Sequence, residues 1–404
     1  MTDTFRALRN QAYRQWATGA LVSNIGTWMQ RTAQDWMVLT QLTHHNATAV
    51  GWVMSLQFGP QLALTPLAGH LADRFERRKL LIYTQSAMAL TALLLGTLSL
   101  LNLINLYRLY VFALALGIFS ALDAPTRQAF VGELTGEDDL PNAIALNSAS
   151  FHGARLLGPA CAGLLMTQLE PGWVFLLNAL SYIPLLHALR TLQTRPWTQS
   201  SQSDHSLLAG LRYVQQRPEL SILLLLIFLV GTFGLNFPIF IATMSVQVFH
   251  AGPDVFGLLS SSMAVGSVAG ALYSASRIKP SRIGLLLAAI LFGVGCISAA
   301  LAPNLILFAV ILAVTGLAAQ FFNTSTNSLV QLGTDPGMRG RVMAILLALF
   351  LGGTPLGAPL MGSIADHMGA RWAMICGGSS GLIVAAIWTI YLLRRHQRSH
   401  HVPN

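Results

Sequence analysis

Charged side chains lie in runs of sequence too apolar to sit in water: Arg31 and Asp35 within 14 to 42 and Arg155 within 141 to 168, with the pair Asp123 and Arg127 nearer the end of the run 106 to 131. A charge at the centre of a membrane helix costs about 2.5 to 3.5 kcal/mol on insertion scales, so such residues mark a function. In the first run Asn24, Trp28, Arg31 and Asp35 recur at helical spacing and form one polar stripe, with Gln34 beside it. In the other run His152, Arg155 and Pro159 repeat the spacing. A carboxyl enclosed in this way can switch, because burial favours its neutral form and a neighbouring guanidinium its charged form. Asp35 is therefore expected to carry a coupling proton, with Arg31 or Arg155 as counter-charge and His152 as a candidate relay. The alternative is a permanent ion pair of Asp35 with Arg31 or Arg155 that serves structure alone. Two arginines against one aspartate favour an anionic or partly anionic cargo.

Those residues need a membrane around them. The chain has 404 residues, 53% hydrophobic and only 10% charged, with a mean hydropathy of +0.57. Soluble chains carry about 25% charge, and a dozen apolar runs of roughly 20 residues have no place in one or two ordinary cores. Soluble enzymes, secreted disulfide scaffolds and disordered chains are excluded. Hydropathy places twelve helices near 14 to 42, 48 to 70, 80 to 102, 106 to 131, 141 to 168, 172 to 192, 219 to 249, 254 to 276, 283 to 302, 305 to 331, 341 to 366 and 371 to 393. Cys161, Cys296 and Cys376 all fall in these runs, far apart and without histidines at ligand spacing, so neither a disulfide nor a metal site is expected. No cofactor motif is present either.

The net charge of +9 is a matter of topology. With both ends cytoplasmic, one side holds Arg6, Arg9 and Arg14, the cluster Arg74 to Lys79, Arg127, Arg190, Arg195, Arg212, Arg217, Arg277, Lys279, Arg282, Arg339, Arg341, Arg394, Arg395 and Arg398. The other side holds only Arg108 and Arg371. This asymmetry predicts a multi-pass inner-membrane protein with cytoplasmic termini, and it argues against nucleic acid as a partner. The sequon Asn46-Ala47-Thr48 sits in a short external loop and reads as chance.

The longest polar stretch separates two halves of six helices, giving an amino-terminal bundle over 1 to 192, a cytoplasmic linker over 193 to 218, and a carboxy-terminal bundle over 219 to 404. At an offset of 199, Gly158 falls on Gly357, Gly163 on Gly362 and Trp173 on Trp372; at 200, Asp123 falls on Asn323 and Arg127 on Asn327. An internal repeat of two like-oriented halves is a plan known for secondary transporters with a central substrate site. In the second half Asn236, Gln320, Asn323 and Asn327 supply uncharged stripes, and with Asn24, Trp28 and Gln34 they form the candidate substrate cavity.

Two motifs add a resemblance. Gly69-His70-Leu71-Ala72-Asp73-Arg74-Phe75-Glu76-Arg77-Arg78 follows the second span and closely resembles the G-x-L-a-D-R-x-G-R-R signature of the major facilitator superfamily, with Glu76 where the family has a second glycine. The resemblance implies a gating loop, in which Asp73 sits against the start of the eleventh helix near Arg341 and Arg77 meets an acid on the fourth, here Asp123. In the fifth span, Gly153 to Gly163 resembles the Gly-Pro antiporter motif of exporters in this superfamily, keeping Gly158, Pro159 and Gly163. Small residues permit close helix packing, and proline removes a backbone donor and permits a bend. With Trp28 to Trp36 in the first span, the chain is similar to the branch of drug:proton antiporters and enterobactin exporter-like proteins.

The sequence carries no G-x-S-x-G elbow, no Walker loop and no H-E-x-x-H pair. The expectation is therefore an all-α membrane transporter and not an enzyme. It should work as a monomer, exporting small organic molecules of the drug or siderophore class by proton antiport and alternating access. A lysolipid or lipid translocator on the same fold, or a receptor that has lost transport, are the alternatives.

Overall fold

A computed structural model describes residues 3–135, 139–192, 207–275 and 281–400. Gly69 and Asp73 lie outside the residues whose side chains are described. Within these bounds the chain is helical, with no strand. Six long helices come first: α1 (Gln11–Met37), α2 (Ala47–Arg74), α3 (Arg77–Leu100), α4 (Leu106–Leu134), α5 (Leu140–Leu165) and α6 (Pro171–Thr191). A short α7 (Leu207–Gln215) precedes the seventh span, which is broken into α8 (Pro218–Leu229) and α9 (Phe237–Thr243). The rest are α10 (Pro253–Ala275), α11 (Arg282–Ala300), α12 (Leu305–Leu332), α13 (Arg339–Met368) and α14 (Ala370–His400). These are the twelve spans that hydropathy predicts.

Among the described residues, nine helical segments are long and apolar enough to cross a membrane. The other three spans, α1, α2 and α5, have the length but are interrupted by polar residues: Gln30, Arg31, Gln34 and Asp35 in α1, Gln57 and Gln61 in α2, His152 and Arg155 in α5. Two of these helices, α1 and α5, carry Arg31, Asp35 and Arg155.

Helix starts are fixed by side chains that satisfy otherwise orphaned N–H groups. Asn46 caps α2 by accepting from Ala49 N (2.9 Å), so the sequon asparagine has a structural use. Asn105 caps α4 through Arg108 N (2.9 Å) and Asn304 caps α12 through Leu307 N (2.9 Å). The latter two stand at the 199-residue offset of the repeat.

The chain forms two compact units, Met1–Ser203 with His250–Ser261, and Asp204–Phe249 with Ser262–Asn404. In the first unit α1 packs against α5 and α6, α2 against α4, and α3 against α4 and α6. One end is closed by a buried cluster around Tyr13, Trp16, Phe130, Leu185 and Leu189. In the second, α11 packs against α12 and α14, and α13 against α8, the π turn Val230–Gly234 and α14.

The break in the seventh span has a local cause. Pro238, in the first turn of α9, has no N–H to donate and does not fit a helix interior. The chain leaves helical geometry at Asn236 (φ −91°, ψ 38°), and the Asn236 side chain donates to the Thr232 carbonyl (2.7 Å). The amide thus replaces the backbone bond that the break removes.

Candidate functional site

Polar side chains in the first unit form three tiers along α1, and most of their hydrogen bonds run between helices. The tier nearest the end of α1 holds Gln34 and Asp35, both buried. Gln34 Oε1 accepts from Gln57 Nε2 on α2 (2.7 Å), and one turn back Gln30 Oε1 accepts from Asn178 Nδ2 on α6 (2.6 Å). Beside them the Arg31 guanidinium lies over the rings of Phe58 (4.6 Å) and Trp28 (5.2 Å). Arg155, from α5, lies over the same Trp28 ring at 5.6 Å. Cation–π contact places two positive charges on one indole without neutralising either.

Asp35 is not ion-paired. Among the described residues neither Arg31 nor Arg155 comes within 4.0 Å of its carboxylate, and Asp35 Oδ1, Arg31 Nε, Gln30 Nε2 and Gln34 Nε2 are buried without a hydrogen bond. An unpaired carboxylate in an apolar interior is costly, so its presence calls for an explanation. His152 sits one turn from Arg155, half-buried, edge-on to Phe151 (5.9 Å).

The middle tier is closed. Asp123 on α4 accepts from Thr84 Oγ1 (2.9 Å) and Gln85 Nε2 (2.6 Å) on α3, and pairs with Arg127 one turn on (2.8 Å). Arg127 Nη1 also donates to Asn24 Oδ1 on α1 (2.8 Å). Asn24, read from sequence as a cavity residue, is thus tied to a buried ion pair. Nearby, Thr27 and Tyr182 share a hydrogen bond (3.0 Å).

The third tier corrects a sequence expectation. Arg77 does meet an acid on α4, but it is Glu133 (2.9 Å) and not Asp123. Ten residues of helix separate the two acids by about 15 Å, so Asp123 lies too deep to reach the start of α3. Arg78 donates to the carbonyls of Leu189 (2.5 Å) and Arg190 (2.6 Å), which end α6. The loop arginines therefore clamp α3 to the ends of α4 and α6. Arg74 is exposed at the last turn of α2.

The two glycines that the α5 motif keeps, Gly158 and Gly163, each have a neighbour that explains their size. A Cβ on Gly158 would meet Trp28 Cβ at 2.5 Å, and one on Gly163 would meet Pro253 O at 2.6 Å and Gly257 Cα at 2.9 Å. Gly257 in turn faces the Pro159 carbonyl, and Ser261 Oγ donates to Leu156 O (2.9 Å). Phe256 stacks on Trp36 at 5.7 Å. The opening turns of α10 are thereby packed on α1 and α5 inside the first unit.

In the second unit the uncharged candidates are dispersed. Asn236 is fully buried and supports the broken span, while Gln320, Asn323 and Asn327 are half-buried along α12, with Gln320 Nε2 on Thr324 Oγ1 (3.3 Å). Gly357 lies so close to the Thr232 carbonyl that a Cβ would overlap it. It is the counterpart of Gly158 against α1.

Sequence reading did not single out Gln57, Thr84, Gln85, Glu133, Asn178 or Tyr182. Their signal was present: Gln57, Gln85 and Asn178 are amides inside apolar runs, where an unpaired amide is costly.

Comparison with known proteins gives a family. The model of transmembrane secretion effectors matches residues 2–404. The chain is similar to the staphyloferrin A transporter of Staphylococcus aureus (strain NCTC 8325 / PS 47), at 25% identity over 92% of this chain and 93% of that one. It is also 25% identical to the enterobactin exporter EntS of Escherichia coli O1:K1 / APEC, over 91% and 88%. Among solved structures, a bacterial homolog of the human lysosomal transporter Spinster, in an inward-facing and unoccupied conformation, superposes with a TM-score of 0.74 at 15% identity over 94% of this chain and 96% of that chain. A D-xylose-proton symporter gives 0.72 at 14% identity over 93% and 96%. These two likenesses concern the fold.

Proposed function

The chain belongs to the transmembrane secretion effector family of major facilitator transporters, and from that premise we propose that it exports a small organic molecule of the siderophore class in exchange for protons. It is an integral inner-membrane transporter and not an enzyme. The cargo class rests on the relatives, whose names are those of siderophore transporters.

The observation that carries the coupling reading is the buried, unpaired Asp35 carboxylate beside the unpaired Arg31 guanidinium. Proton and cargo take turns at this site: cargo binds from the cytoplasm while Asp35 is deprotonated, and external proton entry at Asp35 precedes cargo release outside. Release of that proton to the cytoplasm readies the site for the next cargo. Transport proceeds by alternating access, as in other transporters built from repeats. Both termini face the cytoplasm, on the argument of the basic loops, and the working unit is a monomer.

The test is flux in proteoliposomes with an imposed pH gradient, screening siderophores, cationic drugs and lysolipids, with Asp35→Asn beside the wild type. Gradient-driven siderophore flux that falls at least a hundredfold in Asp35→Asn, a loss of about 2.7 kcal/mol in coupling, is expected. Flux indifferent to both pH and Asp35 would assign the scaffold to lipid translocation.

A further inference from the structure

At one end of the second unit, the start of α8, the start of α11, the last turn of α12 and the end of α14 enclose a cavity of about 760 Å³. Four arginines line it, Arg217, Arg282, Arg394 and Arg395, against one carboxylate, Glu219. Two helices begin here and two end, so their dipoles offset one another and the arginines set the sign of the field.

The geometry keeps these arginines in place without using up their donors. Glu219 accepts from Arg282 Nε (2.7 Å) and from Arg395 Nη1 (2.6 Å), so one acid positions two guanidiniums. Each guanidinium has five N–H groups, and most of them remain for a ligand. Arg217 is steadied by Asp335 (2.7 Å) and by the Tyr213 ring (4.5 Å). Arg394 is exposed and enters none of the ion pairs among the described residues. Four guanidiniums met by Glu219 and Asp335 leave a surplus of positive charge that an anion offsets.

The remaining wall is apolar. Leu220, Ile222, Leu329 and Leu332 line it, and Leu332 is 67% exposed. The cavity therefore has a cationic part next to an apolar part, at the end of membrane-spanning helices, where lipid headgroups lie. A soluble anion would use the first part only.

We propose that this cavity binds an anionic phospholipid, its headgroup phosphate on Arg217, Arg394 and Arg395 and its acyl chain along Leu329 and Leu332. Basic pockets between spanning helices on the basic side of a membrane protein have the chemistry for such headgroups.

The test uses the purified full-length protein in detergent and native mass spectrometry, with phosphatidylglycerol and phosphatidylcholine of the same acyl chains as probes. Phosphatidylglycerol should be retained about tenfold more strongly than phosphatidylcholine, as electrostatic attraction of several arginines implies. Arg217→Gln with Arg394→Gln, neither of which touches Glu219, should remove that preference. Arg394→Glu alone, at an exposed side chain that leaves the fold intact, should reduce it severalfold, while Arg108→Gln at a remote basic site leaves it unchanged. Equal retention of the two lipids, or a preference that survives Arg394→Glu, overturns the proposal. Displacement of phosphatidylglycerol by millimolar inorganic phosphate overturns it as well, since the site would then be one for a soluble anion.

Discussion

The two units differ in their buried amides and charges. In the first, these bond from helix to helix: Gln57 to Gln34, Asn178 to Gln30, Arg127 to Asn24, and Thr84 and Gln85 to Asp123. In the second, Asn236 bonds back to its own helix at Thr232 O (2.7 Å), as buried hydroxyls do in both units: Thr232 to Phe228 O (2.7 Å) and Thr326 to Phe322 O (2.9 Å), beside Thr91 to Ala87 O (2.7 Å) and Thr126 to Leu122 O (2.8 Å) of the first. A bond between helices fixes their register and breaks when they move, whereas a bond within one helix is indifferent to its neighbours. The first unit also holds all five intramembrane charges discussed above, whereas both units pack helices through glycine against carbonyl, as at Gly117 in the first and at Gly266, Gly316 and Gly357 in the second. The difference is therefore one of charge: the second unit is a close-packed framework whose buried polar groups are neutral among the described residues.

Breaking the closed tier should show the largest effect. Arg127→Met leaves Asp123, which is 4% exposed, without its charge partner, and loss of one member of a buried pair costs about 3 to 5 kcal/mol. Thermal unfolding in detergent should show a large fall in Tm, and Asp123→Asn combined with Arg127→Met should recover most of it. A double variant no better than the single one would mean that the pair is not a unit, and the contrast between units would lose its main support.

In the second unit the corresponding weak point is steric. Gly357→Ala forces a methyl group into the Thr232 carbonyl and should cost about 1 to 3 kcal/mol, whereas Gly153→Ala on α5, with nothing within 4 Å, should be neutral or slightly stabilising. Equal Tm values for the two variants would contradict the close-packed reading of α13 on the broken span.

The two aspartates of the first unit sharpen the same comparison. Asp35→Asn removes a buried charge that has no partner, so stability should change by less than about 1 kcal/mol or rise, even though flux is lost. Asp123→Asn removes a fully bonded one and should destabilise. If Asp35→Asn unfolds the protein as readily as Asp123→Asn, Asp35 has a structural partner and its coupling role falls.

How far the sequence discloses this arrangement depends on whether a feature is local. The expected span 80 to 102 is α3 (Arg77–Leu100), 172 to 192 is α6 (Pro171–Thr191) and 283 to 302 is α11 (Arg282–Ala300), because an apolar run of membrane length has one outcome. The stripe Asn24, Trp28, Arg31 and Asp35 is likewise legible, since helical spacing alone places it. Partners are not. Arg77 could be matched to Asp123 or Glu133 only by knowing the depth and rotation of α4, and Gln34 to Gln57 only by knowing which face of α2 it meets. The interruption at Asn236 was open to reading, because Asn-Phe-Pro stands in the middle of an apolar run, yet hydropathy averaged over a window conceals it. The asparagine caps at 105 and 304 support the repeat more firmly than the glycines do, but their meaning depends on helix starts that a sequence gives only to within a few residues.

The smallest expected effect compares ion pairs at the helix ends of the two units. Arg77–Glu133 joins α3 to α4 with side chains 19% and 15% exposed, and Arg217–Asp335 joins the start of α8 to the chain after α12 with side chains 43% and 59% exposed. Solvent screens the second pair, and the entropy of holding two mobile side chains offsets what attraction remains, so a double-mutant cycle with Arg217→Gln and Asp335→Asn should give about 0.2 to 1 kcal/mol. The cycle with Arg77→Gln and Glu133→Gln should give more, and its value should be less sensitive to salt, because low exposure reduces screening. The distinction bears on mechanism: a pair in the signature loop that resists salt can hold a gate, and one that salt dissolves cannot. Equal coupling energies with equal salt dependence would place the two ends on the same footing and remove the loop's claim to a special role.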